Sequence, residues 1–145
     1  MSFAYQAGAA VLLIVLALCL QCAGLAVLIT WLRRAVASGI YKLGPFRSAA
    51  MIMRSTAGVI VLHGLEILLW AGGYHWFCLP SWESAFYFSA SSYATVGYGD
   101  VVLPSNWRML GPMEGMIGVL MCGVSASLLF AIVTRLIGEA HARKR

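Results

Sequence analysis

Apolar residues run almost unbroken through three stretches of the chain, residues 9–31, 57–77 and 110–136, and each is long enough to cross a bilayer as a helix. The first is interrupted only by Gln21, Gly24 and Thr30, and at helical rise it covers about 34 Å. No Lys or Arg precedes Arg33, and the run is longer than the apolar core of a signal peptide, which predicts a retained span. A fourth apolar segment, residues 82–93, is too short to cross. It leads into TVGYGD at 95–100, a stretch too polar and too rich in glycine for helix or strand. A short helix and such a loop, set between two spans, must enter and leave on one side of the membrane. Irregular backbone at that depth survives only where protein buries it or where it lines a water-filled path, because lipid cannot satisfy N–H and C=O groups. The pattern predicts an all-α membrane protein of three transmembrane helices, with one re-entrant helix and loop.

Composition and charge sharpen this picture. The 145 residues are 61% hydrophobic and 10% charged, one small membrane domain with no length left for a folded soluble one. Arg33, Arg34, Lys42, Arg47 and Arg54 lie between the first two spans, and Arg135, Arg143, Lys144 and Arg145 follow the third, so nine of the ten basic residues share one side. That side is predicted to be cytoplasmic, with the N-terminus, Glu83, Asp100 and the single basic exception Arg108 outside. The net charge of +5 then serves topology and contact with anionic lipid headgroups, and no nucleic-acid partner is implied.

Thr95-Val96-Gly97-Tyr98-Gly99-Asp100 is identical to the selectivity-filter motif of potassium channels, and the order of spanning helix, short aromatic helix, loop and spanning helix is theirs too. Over about residues 55–134 the chain resembles the potassium-channel pore module. The resemblance implies a pore helix at 82–94, a filter in which Thr95, Val96, Gly97 and Tyr98 coordinate K+ and Gly99 completes the loop, and Asp100 at the outer mouth. The chemistry agrees: backbone carbonyls can replace a potassium ion's hydration shell, and Gly97 and Gly99 permit the left-handed dihedrals that turn successive carbonyls inward. The Val96 and Tyr98 side chains then face outward, against the pore helix. One segment cannot encircle an ion, so a four-fold homotetramer is expected. Residues 1–54 would form an extra helix and basic linker, 55–136 the pore module and 137–145 a short basic tail. The function implied is passive potassium conduction in a plasma membrane, as in a bacterial inner membrane, with no cofactor beyond the permeant ion and no enzyme activity. The alternative is a non-conducting or accessory subunit that needs a partner chain.

The chain departs from the family pattern beside the filter. Tyr87 and Phe88 stand where many relatives carry two indoles, Ala94 where threonine is frequent, and Ser91 where some relatives place a carboxylic acid. Tyr87 is expected to reach Asp100, and Ser92 to partner the Tyr98 hydroxyl. In the third span Gly111, Gly115, Gly118 and Gly123 serve close helix packing, or else Gly118 or Gly123 is a gating hinge. Val119, Cys122, Ala126 or Ser127, and Phe130 share one face, a candidate cavity lining in which Phe130 either forms a hydrophobic gate or packs in the core.

His63, Glu66 and Glu114 are ionisable groups inside spans, functional candidates because their burial is costly. They are too few for a metal centre; mutual hydrogen bonding, Glu114 bracing the back of the pore helix, or proton sensing by His63 fit better. Cys19, Cys22 and Cys122 read as small packing residues, and Cys78 as a lone exposed thiol. No span carries the repeated Arg or Lys of a voltage sensor. The extra first helix is expected to pack outside the second, with its basic linker along the inner leaflet.

Overall fold

The computed structural model describes residues 3–38 and 45–142. Its helices are α1 (Phe3–Ala37), α2 (Pro45–Phe77), α3 (Trp82–Tyr93) and α4 (Leu110–Ala142), and no strand occurs among the described residues. Three helices, α1, α2 and α4, are long and apolar enough to cross a membrane. The all-α membrane fold read from the pattern is the one observed.

Helix ends differ from the apolar runs. Helix α1 continues past Arg33 and Arg34 to Ala37, and α2 starts at Pro45 instead of near residue 57. Pro45 suits a first helical position, and the residues after it include Ala and Met, both strong helix formers. An apolar run marks the thickness of hydrocarbon, not the length of the helix that crosses it; the 33 residues of α2 extend about 50 Å against a core of about 30 Å. The linker is thus helical at both ends. Its middle, with Lys42, and the tail residues Arg143, Lys144 and Arg145 lie outside the described residues.

Helix α3 is short because both its ends are specified. Ser81 takes an extended conformation and its Oγ accepts from the Ser84 N–H at 3.1 Å, with Glu83 in the first turn to complement the helix dipole. Ala94 caps the other end, its N–H bonded to the Ala90 carbonyl at 3.1 Å. Ala85, Ser89 and Tyr93 form the buried face, wedged between α2 and α4. Around it Trp70, Tyr74, Trp107 and Leu110 build the larger core, with Tyr74 edge-on to Phe88 at 5.0 Å. Helix α4 comes close because Gly111, Gly115 and Gly118 share its face: a Cβ would stand 3.1 Å from Phe88 Cζ at Gly111, 3.1 Å from the Ser92 carbonyl oxygen at Gly115, and would collide with the Tyr93 carbonyl at Gly118. Close packing is the role of these three. A Cβ at Gly123 would meet nothing within 4 Å.

The position of α1 corrects the expectation that it lies outside α2. It packs against both α2 and α4. Ala10, Ala17 and Gly24 recur at every seventh position on its buried side, a smooth stripe that admits close neighbours. Ala17 joins a cluster with Tyr93, Ile117 and Met121, and Gly24 abuts Leu62 of α2. Gln21 supplies the polar tie, its Nε2 donating to Ser125 Oγ at 3.0 Å and to the Met121 carbonyl at 3.3 Å. An amide in hydrocarbon seeks such partners, and α4 offers them. Gln21→Leu should lower the unfolding free energy of the bundle in bicelles by about 1 kcal/mol, measured by steric trapping; an unchanged value would mean that the tie is dispensable.

Candidate functional site

The loop from Ala94 to Asp100 hangs on the last turn of α3. Thr95 N–H donates to the Ser92 carbonyl at 2.9 Å, and the Ser91 carbonyl accepts from Val96 at 2.9 Å and from Gly97 at 3.3 Å. Ser91 therefore contributes through its main chain. The sign of φ alternates along the loop, positive at Thr95 (58°), Gly97 (59°) and Gly99 (81°) but not at Val96 or Tyr98. Glycine adopts this conformation freely, whereas threonine, a β-branched residue, occupies it only under constraint from its surroundings. Thr95 carries no sequence signal for it. Among bonds between described residues, none is accepted by the carbonyls of Thr95, Val96, Gly97 or Tyr98, and every residue from Ala94 to Asp100 is exposed.

Asp100 is clasped to α3. Tyr87 Oη donates to Asp100 Oδ2 at 2.8 Å, as the sequence leads one to expect, and Asp100 Oδ1 accepts from the Val101 N–H at 3.1 Å. The Tyr87 hydroxyl bond holds the Asp100 carboxyl below its ordinary range, and the same bond raises the Tyr87 phenol. The Tyr98 ring lies parallel to Tyr87, centroids 6.4 Å apart. Within the chain no bond joins Ser92 to the Tyr98 hydroxyl, contrary to expectation; Ser92 faces Gly111 instead, because α4 docks so closely there. Beside the loop, an open groove of about 680 Å³ runs between α3 and α4, bordered by Phe88, Ser92, Thr95, Gly97, Met116 and Val119.

A family model described as an ion channel matches residues 60–135, just over half of the chain. The chain belongs to this ion-channel family. The match takes in most of α2, all of α3, the loop and most of α4, the two-helix pore module of potassium channels that the motif residues resemble, and leaves α1 outside. No curated protein and no solved structure matches the chain.

In this ion-channel chain the remaining candidates fall into two groups. Val119, Cys122, Ala126, Ser127 and Phe130 lie on an uncovered side of α4, with Phe130 73% exposed, so Phe130 does not pack in the core of a single chain. Ser127 Oγ donates back to the Gly123 carbonyl at 2.9 Å. Cys19 and Cys22 are exposed on α1 and do not pack inside the bundle. Cys78 is half-buried, which pushes its thiol up to about 11, so it is a poor nucleophile at neutral pH.

The buried carboxylates form the second group, both behind α3. Tyr74 Oη donates to Glu114 Oε2 at 2.7 Å, while Ser89 Oγ stands 2.5 Å from Glu114 Oε1 and 2.9 Å from the Ile67 carbonyl. The single Ser89 proton faces two acceptors; the count closes when Glu114 carries a proton to Ser89 and Ser89 donates to Ile67. Glu114 braces the back of α3, one of the roles its position suggested. Its partners Tyr74 and Ser89, 40 and 25 residues away, leave no local trace in the sequence. Glu66 and His63 meet at 3.1 Å, joined by Tyr93. No group of three or more metal-ligating side chains occurs among the described residues.

Because the Tyr87 bond depresses Asp100, the clasp is complete at neutral pH and is lost only as pH falls below the ordinary carboxylate value of about 4. Tyr87→Phe should raise the Asp100 titration toward that value in carbon-detected NMR, and an unmoved titration would contradict the assignment. For Glu114, Gln can donate to Ser89 and accept from Tyr74, so Glu114→Gln should stay within about 1 kcal/mol of wild type, whereas Glu114→Ala strands the Tyr74 hydroxyl and should cost about 3 kcal/mol in the same unfolding titration.

Proposed function

We propose that this ion channel is potassium-selective and conducts passively as a homotetramer, with the loop 95–99 as its filter. The observation that carries this reading is the alternating φ at Thr95, Gly97 and Gly99 together with carbonyls that take no bond from the described residues. In a strand, successive carbonyls point to opposite sides; alternation of left- and right-handed residues turns them the same way. A row of oxygens on one side suits replacement of the hydration shell of K+.

Four such rows around an axis complete the coordination at Thr95, Val96, Gly97 and Tyr98, with the Thr95 hydroxyl below. The groove beside the loop gives a neighbouring chain room to pack. The C-terminal end of α3 directs its partial negative charge toward the same axis, and Asp100, fixed by Tyr87, sets a ring of carboxylates at the mouth that concentrates cations. Ala94 roofs a cavity lined by the uncovered face of α4, from Val119 through Cys122 and Ser127 to Phe130, where four rings gate by dewetting. Gly123 is the better hinge of the two candidates, since a Cβ there would meet nothing within 4 Å while one at Gly118 would collide with the Tyr93 carbonyl. Residues 55–136 form the pore module and 1–54 an accessory helix. The excess of basic residues on one side supports an orientation with Arg33, Arg54 and Arg135 toward the cytoplasmic leaflet of a plasma membrane, against anionic lipid, and the N-terminus outside.

Flux from liposomes containing only the purified protein tests this reading. Potassium should leave down its gradient while sodium is retained. Equal release of both ions would overturn the selectivity, and silence until a second chain is added would favour an accessory subunit.

A further inference from the structure

Tyr93 closes α3 two residues before Thr95, and it is held from two directions. Its main-chain carbonyl abuts Gly118 of α4. Its hydroxyl donates to Glu66 Oε2 of α2, and His63 Nδ1 lies 2.8 Å from that hydroxyl and 3.1 Å from the same carboxylate oxygen. Glu66 is fully buried, Tyr93 is 3% exposed, and Glu66 Oε1 has no partner among the described residues. As a device for stability alone this triangle is poor, because a buried carboxylate with an unsatisfied oxygen is weaker than a well-packed apolar group of the same volume.

Its place suggests what it does instead. The loop is suspended from the Ser91 and Ser92 carbonyls, which belong to the same helical turn as Tyr93. Rotation or slippage of that turn carries Thr95, the innermost level of the row of carbonyls, with it. Gly118 limits the approach of the turn to α4 but cannot set its rotation, since glycine offers no side chain to grip. The Tyr93 hydroxyl, bonded at the far end of a rigid ring, can.

We propose that Glu66, with His63, is a positioning residue for the innermost ion level, acting through the Tyr93 hydroxyl to fix the rotation of the last turn of α3. This rests on the potassium-pore reading of the loop. The cost of burying Glu66 buys geometry at Thr95, where a small displacement changes which ion fits.

Reversal potentials of the purified channel under bi-ionic K+/Na+ conditions, paired with thermal stability of the assembled protein, test it. Tyr93→Phe, which deletes one oxygen, and Glu66→Leu should each reduce the potassium-to-sodium permeability ratio about tenfold, the worth of one hydrogen bond. The double variant should fall no further, because both remove the same contact. Glu66→Gln should keep most of the ratio, since its amide oxygen still accepts from Tyr93. A ratio unchanged in Tyr93→Phe overturns the proposal, as does a loss of thermal stability without a loss of selectivity. Failure of Tyr93→Phe to assemble also overturns it, by making the hydroxyl a requirement of folding. A wild-type channel with no preference for potassium would instead remove the pore reading beneath it.

Discussion

A main chain inside a membrane has to satisfy its carbonyls, and four consecutive ones here, from Thr95 to Tyr98, receive no bond from the described residues. Every other feature of the molecule can be understood as a response to that constraint. Lipid will not accept these groups. They need either neighbours or an ion, and an alkali cation stripped of water needs oxygens in return. The alternation of backbone handedness at Thr95, Gly97 and Gly99 is the conformational cost of presenting them together.

The scaffold is arranged to meet that cost. Ser91 and Ser92 hold the loop at its root, and Tyr87 holds Asp100 at its tip. Behind α3, Glu114 ties it through Ser89, and Glu66 through Tyr93, while the glycine face of α4 packs against Phe88, Ser92 and Tyr93. The extra helix α1 adds a third wall, gripping α4 through Gln21 at the level of Met121 and Ser125, below the end of α3.

Much of this was legible in the sequence. Apolar runs are set by hydrocarbon thickness, so the three spans were plain, and residues 82–93 were too short to be anything but re-entrant. Helix ends were not, because helix propensity continues past the interface where hydropathy stops, as at Pro45. The place of α1 was missed although its signal was present: Ala10, Ala17 and Gly24 repeat by sevens beside a lone Gln21, a pattern that asks for a close neighbour on each side. The loop was identified by six residues, yet the left-handed Thr95 was not, since its conformation is imposed by the bonds of Ser91 and Ser92 and not by threonine itself. His63 with Glu66 was visible as a helical pair; Tyr93, Tyr74 and Ser89 were not, because their partners meet only once three helices have packed.

The most direct measurement of the central claim is the infrared spectrum of the reconstituted channel with isotope-labelled carbonyls at Val96 and Gly97, exchanged between potassium and sodium. If these main-chain oxygens coordinate the permeant ion, the labelled bands shift between the two salts. Bands that coincide in both would show that the carbonyls do not discriminate between the ions, and the account would fail.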